Sequence, residues 1–261
     1  DIEARLMRAD LELLTGEHER SRGDCRVVIE QRALYAGTIC LAAAQTGDGS
    51  VERARRMIAA LGEAGSAGQE LDRWRLLTEA DLALRAGDTS AALALHQRVY
   101  MLDPSHEEAR TRLAQLLLDT GQAGRALELA QAPDPSPARL VIRVRAAMAL
   151  ADPAMPQHRR ALLETLEAER LRGIPAHLRE EAQLALYVDR NPAEALRLAR
   201  LNFETQKDTP DLRMLAEAAH AAGDATAAGE VRAWIRASGF EDQPAAARLS
   251  LDSVSGRAAA R

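Results

Sequence analysis

The chain has 261 residues, 47% of them hydrophobic and 28% charged, a globular balance that excludes wholesale disorder. Aromatic residues make up only 3%, too few for a typical all-β sandwich or barrel and too few to offer many stacking faces to nucleic-acid bases. The net charge of −5 supplies no general basic footprint for nucleic acid, and no run of ~20 apolar residues is present to span a membrane.

Alanine, leucine, arginine and glutamate dominate, all strong helix formers. Lys207 is the only lysine, an arginine bias expected of GC-rich bacterial coding. The chain starts at Asp1 rather than Met, which points to removed upstream sequence such as a signal peptide, an anchor or earlier repeats.

Taken in order, the first helix ends at Gly16 and its partner runs from about Glu17 to Glu30. A hairpin centred between Gln31 and Ala33 places Cys25 and Cys40 level with each other on antiparallel helices. A disulfide is feasible there in an oxidising compartment. Two small buried thiols are the alternative. Gly47-Asp48 marks the next turn, and the linker GEAGSAG, residues 62–68, follows.

The stretch RWRLLTEADLALRAGDTSAALALHQRVYMLDP, Arg73 to Pro104, reads as helix, turn at Gly87-Asp88, helix, stop. A step of 34 residues carries Gly87 to Gly121, Ala92 to Ala126 and Leu93 to Leu127. The glycine allows the backbone to reverse, and the alanine lets two helix axes approach. Pro133, Pro135 and Pro137 break the pattern, and a helix resumes near Ala138. Pro153 and Pro156 frame a turn, Pro192 and Pro210 open helices, and Gly223-Asp224 repeats the Gly-Asp turn. About seven helix pairs result, over residues 1–242. Trp234 is expected to seal the C-terminal end of their core. After Gly239 the pattern fades, so residues 243–261 read as a partly disordered tail, with Leu249 and Leu251 as a last contact.

Gly87, Asp88, Ala92 and Pro104, with Ala80 and Leu84 before them, match the tetratricopeptide repeat position by position. Leu76 stands where that repeat usually has tryptophan, and Trp74 lies two residues away. The resemblance implies an all-α, right-handed solenoid of about seven helix hairpins, whose concave face is lined by the first helix of each pair. A narrower resemblance links HLREEAQLALYVDRNPAEALRLARLNFETQKDTPDLRMLAEAAHAAGD to the C-terminal repeats of exported bacterial proteins of this class, which also carry two spaced cysteines near the start. It implies a periplasmic or extracellular location; a cytoplasmic one is the alternative.

No nucleophile motif, phosphate loop or dinucleotide loop occurs in the sequence. No H-E-x-x-H or C-x-x-C is present, so no metal site is expected. His177, Glu180 and Glu181 share one helical turn; acids complementing a helix N-terminus explain them better than a ligand trio. No cofactor, catalytic residue or enzymatic activity is expected.

The resemblance implies groove positions at the second, fifth, ninth, twelfth and thirteenth residues of each first helix. These include Trp74, Leu77, Asp81 and Arg85, then Glu108 and Gln115, then Glu180 and Tyr187, then Arg213 and Glu217. The mixed lining suits a protein or peptide partner better than a charged polymer. The lysine- and asparagine-rich clamp of some such domains is excluded, because Lys207 is the only lysine and no asparagine falls at these positions. Trp74 is the best single anchor if exposed; otherwise it fills the seam between neighbouring repeats. The expected function is a non-catalytic scaffold for protein–protein interaction, an accessory subunit of a bacterial periplasmic or cell-surface assembly. A regulatory or sensor module of a larger protein, its output domain outside this chain, is the alternative.

Overall fold

The computed structural model describes residues 1–131, 135–174 and 177–258, with side chains through Ser250. Among the described residues there are fifteen α-helices and no strand. They are α1 (Ile2–Leu14), α2 (His18–Glu30), α3 (Leu34–Ala43), α4 (Ser50–Glu63), α5 (Gln69–Arg85), α6 (Thr89–Leu102), α7 (Glu107–Asp119) and α8 (Ala123–Ala130). They continue as α9 (Pro137–Ala149), α10 (Met155–Leu171), α11 (Leu178–Gln183), α12 (Pro192–Thr205), α13 (Thr209–Ala222), α14 (Ala225–Ser238) and α15 (Gln243–Ala258). A π-helical turn, Leu184–Val188, extends α11. Helices α1 to α14 form seven successive hairpins of an all-α repeat solenoid. Of the three prolines expected to break the pattern, Pro137 opens α9, whereas Pro133 lies outside the described residues.

The Gly-Asp turns work by division of labour. Gly87 and Gly223 adopt φ of +79° and +64°, the left-handed conformation that ends a helix without a Cβ clash. The aspartate that follows caps the next helix: Asp88 Oδ1 accepts from the Ala91 amide at 3.0 Å, and Asp224 Oδ1 from Ala227 at 2.9 Å. The alanines spaced by the repeat, Ala92 and Ala126, are fully buried, as close helix crossing requires. Three other turns reverse without glycine. Arg32, Ala151 and Arg190 take φ of +67°, +52° and +55°.

The chain divides into two compact units, Asp1–Leu95 with Phe203–Arg261, and His96–Asn202. In the second, Leu140, Val141, Val144, Leu162, Leu166 and Leu184 form a core between α9, α10 and the π-helical turn. In the first, Ile39, Ala42, Ala54, Ile58 and Leu82 form one core cluster and Ala9, Cys25 and Cys40 another. Cys25 and Cys40 face each other between α2 and α3 with Cα atoms 5.5 Å apart, their sulphurs joined as a disulfide.

The C-terminal region differs in part from expectation. Gln243–Ala258 forms a helix where a tail was expected, and Leu249, expected as a last contact, is buried in it together with Ala245; Asp242 starts that helix by accepting from the Ala245 amide at 2.8 Å. The side chain of Leu251 lies outside the described residues. Trp234 does not seal the end of a stack. It packs edge-on against Phe203 at 5.1 Å and lies near Phe240 and His18 of α2, with centroids 6.0 and 6.4 Å away. The first hairpins and the last ones thus share one core.

Candidate partner-binding surface

In the second unit the first helices of successive hairpins, α7, α9 and α11, pack side by side. Arg145 of α9 ties them together. Its Nη2 lies 3.0 Å from Asp119 Oδ1 of α7, and its Nη1 donates to Gln183 Oε1 of α11 at 2.9 Å. Its guanidinium stacks 3.9 Å from the centroid of the Tyr187 ring, a cation–π contact strengthened by partial desolvation. Gln115 of α7 joins the row by donating to Asp119 at 2.8 and 2.9 Å. A turn and a half earlier on α9, Arg139 Nε donates to Thr111 Oγ1 at 3.2 Å and lies 3.7 Å from Glu107. Burial pulls the Arg139 pKa down from its ordinary value, with Glu107 opposing that shift.

In the first unit the corresponding first helices include α5 and α13. Arg85, at the end of α5, is 1% exposed. Its Nε donates to the Glu241 carbonyl at 3.0 Å, and its guanidinium lies 4.1 Å from the Phe240 ring centroid. Burial lowers its pKa, opposed by the negative charges of Asp81, Asp242 and Glu241. Arg213 of α13 grips Asp242, with Nη2 2.7 Å from Oδ2. Glu217 lies 3.7 Å from Arg248 of α15. Burial pushes the Glu241 carboxyl up, but the amides of Val51 and Gly49 and the Ser50 hydroxyl outweigh it and hold the pKa below its usual range.

The tetratricopeptide repeat family model matches residues 83–152, from the end of α5 to the turn after α9. Over those residues the chain is similar to tetratricopeptide repeats. A crystal structure of a tetratricopeptide repeat protein from Parabacteroides merdae ATCC 43184 is similar over 97% of this chain and 98% of its own, with a TM-score of 0.53 and 13% identity. At that identity the likeness speaks to the fold alone. No curated protein matches the chain.

In the structure the expected groove residues take different places. Gln115 and Tyr187 join the α7–α9–α11 row; Glu108 lies exposed on α7, paired with Arg112 at 2.9 Å. Glu180 is 6% exposed, with Arg179 Nε 3.5 Å from its Oε1, so it is part of the packing. Arg85, Arg213 and Glu217 face the chain's own residues 240–248 instead of an open surface. Trp74, with Leu77 and Asp81 half-buried on the same helix, packs against both core clusters of the first unit. It therefore occupies the seam, not a free anchor position.

Arg145 was not among the expected residues. The prolines at 133–137 displace the 34-residue step, so counting from the earlier repeat does not reach it. Counting from Pro137, where α9 begins, places it level with Gln115. His177 stands at the N-cap position of α11 without a side-chain capping bond, and Glu180 and Glu181 fall in that helix's first turn, where acids complement the helix dipole. Its Nε2 lies 2.5 Å from Glu169 Oε2 at the end of α10. Among the described residues no group of three or more His, Cys, Asp or Glu is placed to hold a metal, and no helix is long and apolar enough to cross a membrane.

Proposed function

We propose that the protein is a non-catalytic scaffold whose α7–α9–α11 face docks a protein or peptide partner, as an accessory subunit of a bacterial periplasmic or cell-surface assembly. The observation that carries this reading is the polar row in which Arg145 links Asp119, Gln183 and Tyr187 across three first helices. Such a row holds polar groups at fixed spacing on a rigid base, with aromatic and arginine side chains of the kind enriched at interaction hot spots. Repeat folds present extended surfaces of this type to partners. The Cys25–Cys40 disulfide supports the oxidising location, because such bonds are rare in reducing compartments.

A photo-crosslinking residue at Gln115 tests the docking face in the source cells, with the same residue at Glu164 on the exposed side of α10 as a control. A discrete protein adduct from position 115, weak from 164 and lost with Arg145→Ala, is the expected result. Equal labelling from both positions, or an adduct indifferent to Arg145→Ala, would overturn the reading. Alkylation of denatured, unreduced protein tests the location: blocked thiols are expected, and two free thiols would remove its support.

A further inference from the structure

Three of the side chains that the repeat pattern aims at a partner, Arg85, Arg213 and Glu217, are engaged by one stretch of the same chain. That stretch is held unevenly. Residues 239–242 are fastened at many points. The Gly239 carbonyl accepts from the Gly47 amide at 2.7 Å. The Glu241 carboxylate accepts from the Gly49 amide, the Ser50 hydroxyl and the Val51 amide at 2.6, 2.9 and 2.9 Å. Asp242 is held by Arg213.

Helix α15 is different. Through Ser250 its only buried apolar side chains are Ala245 and Leu249, spaced four apart on one side of the helix. Gln243, Ala246, Ala247, Arg248 and Ser250 are exposed. It also makes the 3.7 Å Arg248–Glu217 pair, and Arg232 Nη1 donates to the Leu249 carbonyl at 3.0 Å. Elements with few buried apolar contacts open first. A firm anchor followed by Gln243-Pro244 and a helix with two buried apolar side chains through Ser250 is the arrangement of a cover on a fixed joint.

We propose that α15 is a built-in occupant of a helix-docking strip on α13, and that a partner helix of the same chemistry displaces it. That chemistry is a small residue and a leucine four positions apart, with an arginine beside the leucine to meet Glu217. Residues 239–242 stay in place during the exchange. The proposal rests on the reading that first-helix faces of this chain receive partners, but it concerns α13 alone. The crosslinking test at Gln115 can therefore succeed or fail independently of it.

A fluorescein-labelled peptide with the sequence of residues 243–258, added to the full chain, tests the exchange by anisotropy. The natural chain binds it weakly, because α15 competes from an effectively high local concentration. Leu249→Asp in the chain removes the competitor's main contact and raises peptide affinity at least tenfold. Arg248→Glu, a milder change at an exposed site, raises it severalfold. Adding Glu217→Arg to the Leu249→Asp chain abolishes binding, and a peptide carrying Arg248→Glu restores it. A folded Leu249→Asp chain with no gain in affinity would overturn the proposal, as would indifference to the charge exchange. Should the Leu249→Asp chain fail to fold, Arg248→Glu decides alone: no gain in peptide affinity from that variant would overturn the proposal. Hydrogen exchange on the natural chain gives an independent readout: amides at 246–250 exchange well before those of α13.

Discussion

His18 is the residue whose charge is most constrained by its surroundings. It is 6% exposed and lies 5.3 Å from Phe240 by ring centroid. Burial lowers its pKa from 6.5 to about 4, aided by the positive charges of Arg85 and Arg22, while a hydrogen bond to the Gly16 carbonyl opposes the shift. The folded state therefore prefers neutral imidazole. The unfolded chain takes up a proton below about pH 6.5 and the folded chain only near 4, so stability is full above 6.5 and falls as pH drops through that window. The loss amounts to about 3 kcal/mol on the linkage scale of 1.36 kcal/mol per pKa unit. Unfolding free energies from denaturant melts at pH 7.5 and 4.5 should differ by most of that amount, about 2.5 kcal/mol, through this group. His18→Phe should flatten the difference while leaving carboxylate titration at lower pH intact. At the same scale, Trp74→Ala should destabilise the chain by about 2–4 kcal/mol in urea melts, because its ring packs on two core clusters. A stability change near zero would return Trp74 to the surface.

Among the elements, what was legible in the sequence was what is decided locally. The Gly-Asp turns were, since one residue supplies the left-handed φ and the next supplies the cap. The level placement of Cys25 and Cys40 was, since it follows from hairpin geometry alone. The turns at Arg32, Ala151 and Arg190 carry no such mark; there the packing of the flanking helices holds an ordinary residue in a conformation it disfavours. Helix α15 was missed because Ala245 and Leu249 are too few to write a periodic apolar face. The Arg145 row was missed because its partners come from two other helices, across an irregular spacer. The turns give a direct test. Ala151 is exposed at φ +52°, so Ala151→Gly relieves backbone strain that outweighs the added entropy of the unfolded chain. A gain of up to about 1 kcal/mol is expected in denaturant melts. The Cys25–Cys40 bond closes a loop with a sequence separation of 15 residues, and the Cys25→Ser, Cys40→Ser pair should cost about 3 kcal/mol by the loop-entropy relation.

For the molecule as a whole, the feature with no trace in the repeat pattern is the joining of distant stretches of chain in one unit. Glu241 caps the start of α4 from 192 residues away. Lys207 donates its amide to the Leu14 carbonyl at 2.6 Å, and Trp234 lies against His18. Repeat stacking depends on neighbours, and its energetics are nearly one-dimensional; these contacts add long-range coupling that nearest-neighbour stacking lacks. The point of closest approach is Gly239, at φ +67°, where a Cβ would sit 2.8 Å from the Gly47 amide nitrogen. The atoms it would meet, the Gly47 nitrogen and Cα, belong to backbone, so no side chain can yield to make room. Gly239→Ala should thus cost about 2–3 kcal/mol, from the left-handed conformation and the clash together. Its distinctive signature is where the cost appears. Hydrogen exchange should quicken at the amides of Gly47, Gly49 and Val51, although the substitution lies near the other end of the chain. The second unit, which makes its core from α9, α10 and the π-helical turn, should keep its protection. If the two units lose protection together, closure of the first supports the fold of both; if only residues beside position 239 respond, the contacts between the first and last hairpins are dispensable.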